Sequence, residues 1–268
     1  MRFDVRGHPV YAYGGSRAFD RERPSVVFVH GAANDHGVFA QQSRYSAWHG
    51  MNAVALDLPG HGRSGGDPLA SVEALADWLR DVFDALDATR AHLVGHSMGA
   101  LAALECAARY PERVQHLALL GPSAPMPVTA DLLAAAAVND HVAYELINGW
   151  SFAAASQLGG NEVPGVWMPG NAMRLMERTR DGVLSLDLLA CNGYTNGVEA
   201  AARVRCPTLV ILGARDVMAP PRNAKALTDA LSDVRTVTLP DTGHALMAER
   251  PGEVLDELRK FLGLSPAT

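Results

Sequence analysis

The segment Val94-Gly95-His96-Ser97-Met98-Gly99 limits what this chain can fold into more than any other stretch. A run of β-formers ending at Leu93 and Val94 leads into a serine between glycines, and a helical pattern from Met98 to Arg109 follows at once. A strand that turns into a helix this abruptly forces the two elements together, so the positions two before and two after the serine must lack side chains. Gly95 and Gly99 meet that demand. The serine then takes strained backbone angles, and its hydroxyl stands clear at the end of a buried strand. The helix N-terminus beneath it favours developing negative charge.

A turn of this kind needs a sheet around it, and the rest of the chain supplies one. Short apolar strands alternate with segments of helical period, which predicts a largely parallel sheet covered on both faces. A hairpin is expected from Arg2 to Arg6 and Pro9 to Tyr13, turned at Gly7-His8. Further strands are expected at Ser25 to Val29, Ala53 to Leu56, Ala91 to Val94, Leu117 to Leu120, Thr208 to Leu212 and Thr236 to Leu239. Helices are expected at Asp35 to His49, Val72 to Leu86, Arg222 to Leu231 and His244 to Leu262.

From Ser123 to Arg203 this rhythm stops. The stretch holds no convincing strand, only helix-like pieces at Ala130 to Ala137, His141 to Ile147, Ala172 to Arg178 and Val183 to Leu189. A helical insertion between two strands of one sheet reads as a cap over the strand ends, where open α/β sheets carry their ligands. The expected organisation is a core of residues 1–122 and 204–268 with a helical cap at 123–203. The chain of 268 residues is long enough for one sizeable core. A net charge of −6 with no basic run gives nucleic acid no footing. No apolar run reaches the ~18 residues of a membrane span. The N-terminus, Met1-Arg2-Phe3-Asp4-Val5-Arg6, alternates charged and apolar residues, so a cytoplasmic location is expected. Cys106, Cys191 and Cys206 are odd in number and widely spaced, which reads as buried free thiols.

A serine hydroxyl is too weak an acid to attack a carbonyl unaided and needs a base held in one tautomer by an acid. His244, in Pro240-Asp241-Thr242-Gly243-His244, follows the last strand and comes over the same end of the sheet as Ser97. Asp216, in Gly213-Ala214-Arg215-Asp216, closes the preceding strand and completes the order Ser…Asp…His. Two backbone N–H groups should face the developing oxyanion: that of Met98, and one from His30-Gly31-Ala32-Ala33, with Ala32 preferred over Gly31 or Ala33. His30, His61 and His96 read as loop-bracing residues. Asn34 or Asp35 reads as a helix cap, and Asp35 and His36 lack further ligands at metal spacing. Trp150, Phe152, Trp167, Met168, Met173 and Met176 either line an apolar pocket or hold the cap to the sheet.

His30-Gly31, Asp57-Leu58-Pro59-Gly60-His61-Gly62-Arg63-Ser64, the Gly95–Gly99 segment, Gly213-x-x-Asp216 and Gly243-His244 together resemble the α/β-hydrolase fold family over essentially the whole chain. The resemblance implies an eight-stranded, mostly parallel sheet with helices on both faces and an α-helical cap after the sixth strand. It implies Ser97 as nucleophile, Asp216 as acid, His244 as base, and Ala32 and Met98 as the oxyanion hole. Members with an aspartate nucleophile are less similar. An earlier position that carries the acid in some members reads Gly121-Pro122-Ser123-Ala124 here, with no carboxylate. The expected activity is cleavage of a small carboxylic ester through an acyl-enzyme, with no cofactor and no metal. Two alternatives stand beside it. One is a ring-cleavage C–C bond hydrolase, whose acidic substrate could use Arg174, Arg178 or Arg180. The other is a ligand receptor with vestigial hydrolysis.

Overall fold

Runs such as Ser25-Val26-Val27-Phe28-Val29 and Asn52-Ala53-Val54-Ala55-Leu56 are almost wholly apolar, as strands covered on both faces must be, and every residue in them is buried. The computed structural model describes residues 1–160 and 165–264. The parts of the expected cap and core at 161–164 and 265–268 lie outside the described residues.

The strands are β1 (Arg2–Val5), β2 (His8–Tyr13), β3 (Ser25–Val29), β4 (Asn52–Leu56), β5 (Ala91–His96), β6 (Val114–Leu120), β7 (Thr208–Gly213) and β8 (Val234–Leu239). They form one sheet in the order β1-β2-β4-β3-β5-β6-β7-β8. The β1–β2 and β2–β4 pairs are antiparallel and all later pairs are parallel, so the sheet is eight-stranded and mostly parallel, as the resemblance implies. The direction of winding reverses between β3 and β5, and the loops after these two strands flank the crevice where such sheets bind ligands.

Alternation along the strands splits the core into two layers. Val27, Val29, Leu93, Leu117 and Val210 face one side with helices α2 (Val72–Ala85) and α3 (Met98–Arg109). Val26, Phe28, Val94, Ala118 and Ile211 face the other with α1 (Ala40–Trp48) and the C-terminal helices. Between β6 and β7 run α4 (Ala130–Ala137), α5 (Val142–Ser151), α6 (Ala154–Gln157), α7 (Met168–Met176), α8 (Val183–Gly193) and α9 (Gly197–Arg203). Leu132, Ala136, Ala143, Ile147, Met176, Leu184 and Leu188 of this insertion form their own apolar cluster, which also takes in Ala33 and touches Ala32 and Met218. The insertion therefore rests on the loops after β3 and β7. Its last helix, α9, instead packs on α3 and on α10 (Pro221–Ala230), with Ala200 and Ala201 in the same layer as α3.

Three local expectations shift. The first hairpin turns at Arg6-Gly7 with Val5 opposite His8, because both central residues have the positive φ (54° and 80°) that a two-residue hairpin of this type needs. The helix expected from Asp35 opens as a single 3₁₀ turn at His36–Phe39, capped by the Asp35 carboxylate on the Gly37 N–H, before α1 begins. The last helix breaks into α11 (Leu246–Glu249) and α12 (Pro251–Phe261). Pro251 has no N–H to donate and pushes Arg250 out of the helical region, to φ −134° and ψ 60°. No helix among the described residues is long and apolar enough to cross a membrane.

The glycines at the β5–α3 turn are required by contact. A Cβ on Gly95 would lie 2.2 Å from the Gly99 carbonyl oxygen, and one on Gly99 would lie 2.2 Å from that of Val29. Backbone cannot retreat as a side chain can, so Gly99→Ala is expected to cost about 3 kcal/mol of stability. A urea midpoint equal to that of the parent would show that strand and helix can separate.

Candidate active site

Ser97 sits at the β5–α3 turn with φ 54° and ψ −119°, a conformation a non-glycine residue adopts only when its surroundings impose it. The imposition is visible on both sides. Its N–H donates to the Leu120 carbonyl at 3.0 Å, and α3 begins at the next residue. Gly31 of the loop after β3 lies against it, since a Cβ there would come within 3.1 Å of the Ser97 Cβ.

His244 follows β8 and is buried. Its Nδ1–H donates to Asp216 Oδ2 at 2.7 Å, which leaves the Nε2 lone pair for chemistry. That Nε2 is buried and has no hydrogen-bond partner among the described residues, Ser97 Oγ included. Asp216 is fixed in turn by the Met218 and Ala219 N–H groups, which donate to Oδ1 at 2.9 and 2.8 Å. Burial alone would raise the Asp216 carboxyl. The charge and hydrogen bond of His244, with the two backbone donors, outweigh burial and hold it below the ordinary carboxylate value. Ser97, His244 and Ala32 all line one cavity of about 680 Å³. The N–H groups of Ala32 and Met98 make no hydrogen bond to the described residues.

The loops that carry these groups are braced by side chains with little sequence signature. Glu249 of α11 accepts the Gly243 N–H at 2.8 Å and the Ala153 N–H at 3.0 Å, tying the His244 loop to the insertion. Asp187 of α8 accepts the Ala33 N–H at 2.9 Å and pairs with His61 Nε2 at 2.8 Å. Asp57 accepts the His36 N–H, the His36 Nδ1–H and the Arg63 N–H at 2.7–2.8 Å. Asp35, His36 and Asp57 bring ligand-type atoms within 4.8 Å of one another. Those bonds, with Asp35 capping Gly37 and pairing with Arg178, account for the cluster as loop bracing.

The other histidines divide by protonation. Burial, followed by the neighbouring charge of His61, pushes His30 down to about 3; it donates from Nδ1 to the Gly31 carbonyl and accepts the Leu58 N–H at Nε2. Burial likewise pushes His96 down to about 3 and His92 to about 4. His61 runs the other way. Burial would lower it, but the charge of Asp187 and the hydrogen bonds to Asp187 and Pro59 raise it above its ordinary value.

A family model described as alpha/beta hydrolase fold matches residues 24–251. The pimeloyl-[acyl-carrier protein] methyl ester esterase of Chromobacterium violaceum is 30% identical over 230 residues, which cover 83% of this chain and 87% of that one. Among solved structures, an enol-lactonase from Burkholderia xenovorans LB400 matches with a TM-score of 0.87 at 22% identity, over 98% of this chain and 100% of that one. A thermophilic esterase matches with a TM-score of 0.80 at 25% identity, over 98% and 96%.

The lowered histidines set a pH dependence. In the unfolded chain each takes a proton near pH ~6.5, whereas folded His30, His96 and His92 wait until about 3, 3 and 4. Their contribution is present above pH ~6.5 and is lost as the pH falls toward the folded values, by up to about 1.4 kcal/mol per pH unit for each. His61, raised, contributes below its unfolded value and loses that contribution as the pH rises through its folded one. The urea midpoint should therefore drop between pH 7 and pH 5. His92→Leu, at the far end of β5 from Ser97, should make the drop shallower; an unchanged slope would refute the assignment.

Proposed function

This chain belongs to the alpha/beta hydrolase fold family and is a hydrolase; we propose that it cleaves carboxylic esters through an acyl-enzyme on Ser97. The observation that carries the proposal is the His244 ring, locked by Asp216 at Nδ1 and unpartnered at Nε2, in one cavity with a serine held in a strained turn. Substrate brings Ser97 Oγ into hydrogen bonding with Nε2, a contact that often tightens only in the substrate complex. Ser97 attacks the ester carbonyl as His244 takes its proton, and the tetrahedral oxyanion lies on the Ala32 and Met98 N–H groups. The alcohol leaves with the proton from His244. Water, deprotonated by His244, then cleaves the acyl-enzyme, while Asp216 stabilises the imidazolium at both stages.

The cavity favours this over the ring-cleavage reading. An acidic substrate needs a cationic partner, yet among the described residues no Lys or Arg lines the cavity. Arg174 pairs with Glu177 and Arg178 with Asp35, while Arg180 donates to the Gly60 and Gly66 carbonyls. The apolar wall formed by Met126, Leu132, Ile147, Met176 and Leu188 suits an uncharged acyl or alcohol group. The name of the Chromobacterium violaceum relative, a methyl ester esterase, points the same way. In the same reading residues 123–203 act as a cap over a core of 1–122 and 204–268, with α9 returning to the core side.

Ser97→Ala should lower turnover of p-nitrophenyl butyrate by at least about 10³-fold with an unchanged circular dichroism spectrum, and it should abolish labelling by a fluorophosphonate. Turnover equal to that of the parent protein would overturn the mechanism. Ile147→Trp, which adds bulk to the apolar wall of the cavity, should raise KM for the octanoate ester about tenfold relative to the acetate ester. An equal effect on both esters would place the acyl chain elsewhere.

A further inference from the structure

We propose that Asp187, carried on α8 of the insertion, is a positioning residue for the oxyanion-binding loop, held in place by a buried His61 imidazolium. The inference rests on the reading of Ser97 and Ala32 given above. Ala33 has φ 52°, in the left-handed region where an alanine is held only at a cost of roughly 1–2 kcal/mol. Something outside the loop has to hold it there, and both partners come from the insertion. Its N–H donates to Asp187 Oδ2 at 2.9 Å, and its carbonyl accepts the Thr179 hydroxyl at 3.1 Å; these residues lie 154 and 146 positions along the chain.

The consequence for the oxyanion donor follows from peptide planarity, which makes C=O and N–H of one unit point in opposite directions. The Gly31 carbonyl is fixed by His30 Nδ1–H at 2.8 Å and the Asn34 N–H at 3.3 Å, which sets the direction of the Ala32 N–H. The next unit is fixed at its carbonyl by Asn34 Nδ2 at 3.0 Å and at its N–H by Asp187. Without Asp187 the second unit keeps only the Asn34 Nδ2 contact, the strained Ala33 can relax, and the Ala32 N–H beside it is held by the Gly31 carbonyl contacts alone.

His61 explains how a carboxylate can be buried there. Its Nδ1 faces the Pro59 carbonyl at 2.9 Å and its Nε2 faces Asp187 Oδ2 at 2.8 Å. Both partners are acceptors, so the ring donates from both nitrogens and carries a positive charge. Both side chains are about 2% exposed. The carboxylate is satisfied within the site, since Oδ2 accepts both the His61 N–H and the Ala33 N–H.

The test compares kcat per fluorophosphonate-titrated site, which corrects for any misfolded fraction. Asp187→Leu should lower kcat on p-nitrophenyl butyrate by about 10²-fold, comparable to losing one oxyanion donor, with KM within about twofold. Its affinity for a trifluoromethyl ketone, whose adduct carries the oxyanion, should fall in parallel. Asp187→Asn retains an oxygen for the Ala33 N–H and should recover most of the loss. If Asp187→Leu does not fold, Thr179→Val removes the other anchor and should lower kcat in the same direction by a smaller factor. A per-site kcat equal to that of the parent protein, or a change confined to KM, overturns the role of Asp187. An active Ser97→Ala variant would instead overturn the ester mechanism itself, and this inference with it.

Discussion

Backbone contact between β5 and α3 is the constraint on which the rest of the molecule depends. Gly95 meets the Gly99 carbonyl and Gly99 meets that of Val29, so three elements, β3, β5 and α3, converge on a region with no room for a single methyl group. That convergence holds Ser97 in its strained conformation and brings the loop after β3 against it. It also fixes the place where β6, β7 and β8 must end if His244 and Asp216 are to arrive on the same side. α3 is almost entirely buried, and its run of alanines permits the close packing that the turn demands.

Around this point the chain concentrates titratable groups in a poorly solvated region and then controls their charge by partner choice. His30 and His96 each have one nitrogen directed at a carbonyl, and both stay neutral. His61, between a carbonyl and a carboxylate, takes a second proton. His244 has its Nδ1 occupied by a carboxylate that already accepts two backbone donors. Neighbouring buried imidazoles thus differ in charge: His30 and His96 stay neutral while His61 is charged. The difference arises from what each nitrogen faces rather than from burial, since all three are buried.

The sheet was legible because its signals are local. Apolar runs of five or six residues identify strands, and the glycines around Ser97 identify the turn. Gly213-x-x-Asp216 and Gly243-His244 needed only their position after a strand to be singled out, and the structure sets those two side chains 2.7 Å apart. Asp187 and Glu249 were not legible. Each is an ordinary acidic residue on a helix, and its importance lies in a backbone N–H far along the chain or across a helix break. No spacing rule reaches from Asp187 to Ala33. A buried carboxylate on the apolar face of α8, between Leu184 and Leu188, is the one pattern that could have singled it out. The break at Pro251 was readable in principle, because proline inside a helical pattern ends it; the strong apolar period on both sides masked it. α9 was missed because a short helix of about two turns with three consecutive alanines offers little contrast between faces.

The insertion leaves the sheet after β6 and rejoins it at β7, and these two strands are hydrogen-bonded neighbours. Because the two strands run parallel, the segment must carry the chain from the C-terminal end of β6 back to the N-terminal end of β7, and lengthening or shortening it changes loop-closure entropy only slowly. Evolution can exchange such a module between proteins of this architecture without disturbing a rung of the ladder. The contacts with Ala33 and with the Gly243 loop restrict that freedom. A transplanted module would bring a new pocket wall, but it would also have to bring its own acceptor for the buried Ala33 N–H and its own donor for Glu249. In this fold, the part most open to replacement is also wired to the parts that cannot change.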